Sequence, residues 1–230
     1  MIGVYDYTVI LTYISMISGV IGIITSMTGL GHPYMGVVFL MISGLLDAFD
    51  GKVAGTKKSR TEMEKNFGVQ IDSLSDLIAF GVLPAAIGIA QLRRSGIFTE
   101  LVRRQDYEGN MGVLVLLITI AIFYVLAALI RLAYFNATEE ERRKESEKTG
   151  AVYYLGVPVT SAALVFPLIM IIHNFVSFDL VMFYFFMLLV TAVAFILNIK
   201  VKKPGKLGIA IMILIGIAEM ITILLILSNE

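Results

Sequence analysis

Seven stretches of this 230-residue chain are each apolar over about twenty residues, the length an α-helix needs to cross the hydrocarbon of a bilayer. They fall at 8–29, 33–54, 69–91, 111–135, 153–173, 178–199 and 206–227. Charged residues make up 16% of the chain and its mean hydropathy is +0.87, against roughly 25% charged in a soluble domain. The fold class this implies is all-α, a polytopic transmembrane helical bundle of about six to eight spans. Gly156, Pro158 and Pro167 interrupt the fifth stretch, and its two prolines are expected to kink it. The absence of cysteine excludes a disulfide framework, a thiolate metal site and a cysteine nucleophile. With two histidines only, His32 and His173, a zinc hydrolase is disfavoured. The first stretch lacks a basic lead and a small-residue cleavage site, so it reads as a retained span. Residues 1–230 are expected to form a single integral membrane catalytic domain.

Four aspartates break the apolar pattern. Asp47 and Asp50 lie three apart near the end of the second stretch; Asp72 and Asp76 lie four apart near the start of the third. Either spacing puts both carboxylates on one helix face, a turn from each other. A charge in hydrocarbon is costly, so such residues carry a functional reading by default. Four like charges brought together need cations between them, or shared protons. Carboxylate oxygens are hard ligands suited to Mg²⁺, Mn²⁺ or Ca²⁺. The two stretches are consecutive and antiparallel, joined by GTKKSRTEMEKN over 55–66, so their acidic ends can face each other. Residues 47–76 therefore read as a membrane-embedded divalent-metal site. Gly51 and Gly68 flank it, where a missing Cβ lets backbone approach a ligand. Lys52, Lys57, Lys58, Arg60 and Lys65 make its mouth basic, which favours an anionic, phosphate-bearing substrate.

Basic residues also orient the chain. With the loop after the second stretch in the cytoplasm, 14 of the 18 Lys and Arg lie inside, including Arg131, Arg142, Arg143, Lys144, Lys148 and Lys203. Only Arg93, Arg94, Arg103 and Arg104 lie outside. The expectation is a multi-pass protein of the cell membrane with a cytoplasmic N-terminus and the aspartates at the cytoplasmic face.

The pattern D-x-x-D-G-x-x-A followed by G-x-x-x-D-x-x-x-D, carried by Asp47, Asp50, Gly51, Ala54, Gly68, Asp72 and Asp76, resembles the signature of the CDP-alcohol phosphatidyltransferases. Gly55 stands where that family usually has arginine, and the connector before Gly68 is a few residues longer than is common. Arg60 or a nearby lysine is the candidate for the missing charge. The resemblance implies the CDP-alcohol phosphotransferase fold and two divalent ions per site, Mg²⁺ or Mn²⁺. Asp47, Asp50 and Asp72 would hold them, with Asp76 touching the second and acting as general base. Gly51, Ala54 and Gly68 would line the cytidine side. A hydroxyl would attack the lipid-bearing phosphorus and expel CMP. Family members are commonly homodimers.

Three stretches are similar to the phosphatidylserine synthase branch: FGVQIDSLSDLIAFGVLPA at 67–85, LIRLAYFN at 129–136 and YYLGVPVTSAA at 153–163. They depart from it at Tyr134 and Thr160. Serine is thus the expected acceptor, with Arg131 gripping its carboxylate bidentately and Asn136 offering a donor and an acceptor. Glycerol phosphate or inositol phosphate is the alternative, and either calls for more cationic groups. Ester-linked CDP-diacylglycerol and ether-linked CDP-archaeol fit equally as the lipid donor; no nucleic-acid partner is expected. A cation transporter is the competing class, but it would carry repeats and midplane charges, and 110–230 holds no echo of the aspartate pairs. Outside the motif, Gly44 is expected to allow close helix packing and Tyr153 and Tyr154 to sit in an interfacial belt. Glu219 is expected to pair with a polar group on a neighbouring helix.

Overall fold

A computed structural model describes residues 2–30, 32, 34–98, 107–139, 153–176, 178–202 and 205–229. Gly31, Pro33, Arg103, Arg104, Arg142, Arg143, Lys144, Lys148 and Lys203 lie outside the described residues. The helices are α1 (Ile10–Thr28), α2 (Met35–Ala54), α3 (Glu62–Asp76), α4 (Leu83–Arg94), α5 (Tyr107–Ala137), α6 (Ala162–Phe175), α7 (Val181–Ile196) and α8 (Lys206–Asn229). Each apolar stretch holds a helix. Among the described residues, four runs, Ile10–Thr28, Glu62–Arg94, Met111–Ala137 and Ala210–Ser228, are long and apolar enough to cross a membrane.

The polarity of α1 is inside out, as a lipid environment requires. Its buried residues include Thr12, Ser15, Ser18, Gly19, Gly22 and Ser26, while Ile10, Ile14, Ile17, Ile21 and Ile24 are exposed. Lipid tails are as apolar as isoleucine, so helix association there relies on small residues and interhelical hydrogen bonds. Ser18 Oγ donates to the Phe39 carbonyl at 2.9 Å and Ser43 Oγ to the Ser15 carbonyl at 3.0 Å, joining α1 to α2. At Gly44 an added Cβ would stand 2.5 Å from that of Ala163, so α2 and α6 touch where the sequence predicts close packing.

The third span starts earlier than hydropathy suggests. Thr61 caps α3 in a capping box with Glu64: Glu64 N–H donates to Thr61 Oγ1 at 3.2 Å, and Thr61 N–H to Glu64 Oε2 at 2.7 Å. Two orphan donors of the first turn are thereby satisfied. Five of the twelve residues of the expected connector, 62–66, are thus helix. α3 and α4 are continuous through a π-helical turn, Leu77–Val82, in which Leu83 N–H reaches back five residues to the Ile78 carbonyl. Pro84 has no N–H, so the Phe80 carbonyl lacks its regular helical partner; the Tyr124 hydroxyl of α5 donates to it at 2.7 Å. The Pro84 carbonyl accepts from the Tyr184 hydroxyl of α7 at 2.9 Å. Both tyrosines are buried, and together they lock the rod against α5 and α7.

The fifth stretch is not one kinked helix. Strand β1 (Tyr153–Leu155) pairs antiparallel with β2 (Lys200–Lys202), Tyr154 opposite Val201. A 3₁₀ turn, Val159–Ser161, precedes α6, so Pro158 sits ahead of the helix and only Pro167 lies inside it. Gly156 makes the corner at φ +74°. Its N–H donates to the Ile199 carbonyl at 2.8 Å, and an added Cβ would stand 2.7 Å from the Phe195 carbonyl oxygen. Glycine alone satisfies both demands.

Candidate active site

α2 delivers Asp47 and Asp50, and α3 delivers Asp72 and Asp76, from antiparallel neighbours joined by seven residues, 55–61. Lys57 closes this connector. Its Nζ donates to Asp6 Oδ2 at 2.7 Å and to Glu64 Oε1 at 2.8 Å, tying the segment before α1 to the start of α3. The Lys57 ammonium, then the Thr8 hydroxyl, hold the Asp6 carboxyl down at about 2. Asp6 is therefore ionised at neutral pH, and its bond to Lys57 weakens on the acid side as pH falls through that value.

One carboxylate oxygen from each of Asp47, Asp50 and Asp72 lies within 4.8 Å of the others. Opposite ligands of an octahedral Mg²⁺ stand about 4.2 Å apart, so the separation suits a shared ion. Asp76 lies just beside this trio, its carboxyl in hydrogen-bonding contact with that of Asp47, while Asp72 meets Asp50 in the same way. Asp50 and Asp76 are each only 9% exposed. An all-oxygen set of this charge fits a hard divalent cation. Thr12 of α1, which composition and spacing did not single out, donates its hydroxyl to Asp50 Oδ2 at 3.2 Å.

A cavity of about 280 Å³ opens beside the carboxylates, and Asp50, Asp72, Gly51, Ala54 and Gly68 all line it. The three residues expected on the nucleotide side therefore line one cavity. At Gly51 an added Cβ would meet nothing within 4 Å, so its face is open to the cavity. Over Gly68 lies the end of the Arg60 side chain, whose Nη2 would stand 2.6 Å from a Cβ there. Arg60 and Lys65 also line the cavity, and Arg60 Nε is buried with no hydrogen-bond partner among the described residues. The rest of the expected basic mouth is partly committed elsewhere. Lys57 is held in the clamp, and the Lys52 ammonium lies 5.4 Å from the Phe49 ring centre.

Arg131 and Asn136 sit on the cavity-proximal end of α5 in different settings. Asn136 bonds directly to the motif helix: its Nδ2 donates to Ser73 Oγ at 2.9 Å, one residue from Asp72. It is a cross-helix contact and not a terminal cap. Arg131 is 6% exposed; its Nε donates to the Val157 carbonyl at 3.4 Å and its guanidinium lies over the Phe135 ring. The corner at Gly156 and the ribbon thus fix the carbonyl that braces Arg131. Glu219 is buried in α8, outside the carboxylate cluster, and its Oε2 has no hydrogen-bond partner among the described residues. The expected polar partner is not met at that atom.

A family model described as CDP-alcohol phosphatidyltransferase matches residues 8–228, nearly the whole chain. The chain belongs to this family. With four long apolar helices among the described residues, it is a multi-pass membrane protein. Among curated proteins, the CDP-diacylglycerol–serine O-phosphatidyltransferase of Saccharomyces cerevisiae is 30% identical over 176 residues, covering 73% of this chain and 55% of that protein. The enzyme of the same name from Helicobacter pylori is 28% identical over 146 residues, covering 62% of this chain and 49% of its own length. That from Methanocaldococcus jannaschii is 24% identical over 163 residues, covering 71% and 58%. The chain spans about half the length of the curated relatives it matches.

Proposed function

We propose that the chain is a single membrane catalytic domain that transfers the phosphatidyl, or archaetidyl, group of a CDP-linked lipid to the hydroxyl of L-serine, releasing CMP. The observation that carries this reading is the convergence of three carboxylates within 4.8 Å beside a cavity walled by Gly51, Ala54 and Gly68, in a chain whose relatives bear the serine transferase name. Asp47, Asp50 and Asp72 would hold Mg²⁺ or Mn²⁺, with Asp76 completing the set. Bound there, the metal supplies charge neutralisation for the diphosphate and for the oxygen that departs with CMP. The residues do the rest. Gly51 and Ala54 admit the nucleotide along the open cavity wall, and Arg60 and Lys65 set positive charge at its edge. Asp76 accepts the proton of the incoming hydroxyl, which attacks the lipid-bearing phosphorus as the bond to CMP breaks. Arg131 pairs with the serine carboxylate, and Asn136 orients the motif helix through Ser73. The active site faces the cytoplasm, with the N-terminus on the same side, and the protein works as a homodimer.

The deciding experiment is an acceptor screen with purified protein, CDP-diacylglycerol or CDP-archaeol, and Mg²⁺ or Mn²⁺. Serine is expected to release CMP and to form the serine phospholipid. Release with glycerol phosphate or inositol phosphate instead would move the acceptor to one that Arg60 and Lys65 serve. No CMP from any acceptor would end the transferase reading.

Arg131 and Arg60 are expected to separate kinetically. Arg131→Ala raises the KM for serine at least about tenfold, a loss of about 1.4 kcal/mol, with the KM for the CDP-lipid nearly unchanged. Arg60→Ala does the reverse. Equal effects of either variant on both substrates would reduce that arginine to a packing role.

A further inference from the structure

Six threonines in the helices and their ends share one habit. The hydroxyls of Thr25, Thr28, Thr119, Thr138, Thr191 and Thr222 each donate to the carbonyl four residues back. That bond satisfies a hydroxyl in an apolar setting without help from another helix. Thr12 breaks the habit. It is 5% exposed, and its Oγ1 turns away from its own helix onto Asp50 Oδ2 at 3.2 Å. Its backbone carbonyl, in turn, accepts from Ser75 Oγ at 3.1 Å, next to Asp76. One residue of α1 thus touches both acidic helices, by side chain on α2 and by main chain on α3. It also lines the cavity beside Asp50 and Asp72.

We infer that Thr12 is a positioning residue for the metal-binding carboxylates, an inference that rests on the metal site proposed above. A carboxylate on a single bond rotates freely, and a donor on one oxygen stops it and leaves the other oxygen for a cation. Partners of this kind orient metal ligands, and losing one typically weakens metal affinity by about 10- to 100-fold. The tie to Ser75 holds Thr12 itself in register with α3, so the first helix contributes to the site without carrying a motif residue.

The test is titration of the metal-free, full-length protein in detergent with Mn²⁺, following free ion by electron paramagnetic resonance, without substrate. Thr12→Val keeps the branched shape but removes the donor; it is expected to raise the Kd for Mn²⁺ by about 10- to 100-fold. Thr12→Ser keeps the donor and stays close to the parent protein. Thr12→Ala gives the same readout should the valine variant not fold. Unchanged Mn²⁺ affinity in Thr12→Val, with or without a lower melting temperature, would overturn the inference and leave the metal site standing. A parent protein that binds no Mn²⁺ would instead remove the site on which it rests.

Discussion

Asp76→Asn is expected to lower turnover by about 10²- to 10⁴-fold, the range that a positioned general base contributes, while the CDP-lipid still binds. The substitution is chosen because it keeps an oxygen that can face the metal and removes the group that takes a proton. Asparagine has nearly the volume of aspartate, and its amide can donate to Asp47, the carboxyl that Asp76 touches. The backbone is held independently, since the π-helical turn that begins at Leu77 is fixed through Tyr124 and Tyr184. What asparagine cannot do is take a proton from an attacking hydroxyl. The measurement pairs the initial rate of CMP release at saturating serine with equilibrium binding of the CDP-lipid. A variant that keeps a tenth or more of parental turnover would strip Asp76 of the base role. One that loses lipid binding and turnover together would make it a ligand for the substrate complex instead.

The parts of this site that were legible in the sequence are those set by local periodicity. Twenty-residue apolar runs announce helices in lipid because no other local structure satisfies the backbone there. Spacings of three and four put Asp47 with Asp50 and Asp72 with Asp76, and consecutive spans must be antiparallel, so the meeting of the two pairs follows. Thr61 and Glu64 also formed a readable capping box, yet hydropathy alone assigned them to a connector, because the first turns of α3 are polar. Other features depend on distant partners. The π-helical turn answers to a missing N–H at Pro84 and a hydroxyl forty-four residues away from Phe80, on Tyr124. The ribbon pairs Tyr153 with Lys202 across two helices. Nothing local distinguishes Thr12 from the threonines that bond within their own helix. Likewise, the end of the Arg60 side chain comes to lie over Gly68 only once the connector folds.

Removing divalent metal is expected to silence the protein entirely and to loosen it. Four carboxyl groups meet where α2 and α3 converge, and each of the two pairs across the helices is in direct contact. Asp50 and Asp76 are almost wholly shielded from solvent, so without a cation the pairs must share protons or repel each other, and salt screens that repulsion little. A cation among them relieves that repulsion and binds only the folded arrangement. At a free-ion concentration about 100 times Kd it adds about 2.7 kcal/mol to stability. For a bundle of marginal net stability that is a large share. Excess chelator should therefore abolish CMP release and lower the melting temperature in detergent, and added Mg²⁺ or Mn²⁺ should restore both. The Asp47→Asn, Asp72→Asn double variant separates the two effects. With half the charge gone, its melting temperature should respond weakly to chelator, and no metal should revive its turnover. Full activity of the parent protein in excess chelator would leave the carboxylates without a metal role, and a melting temperature indifferent to chelator would leave the convergence of α2 and α3 to packing alone.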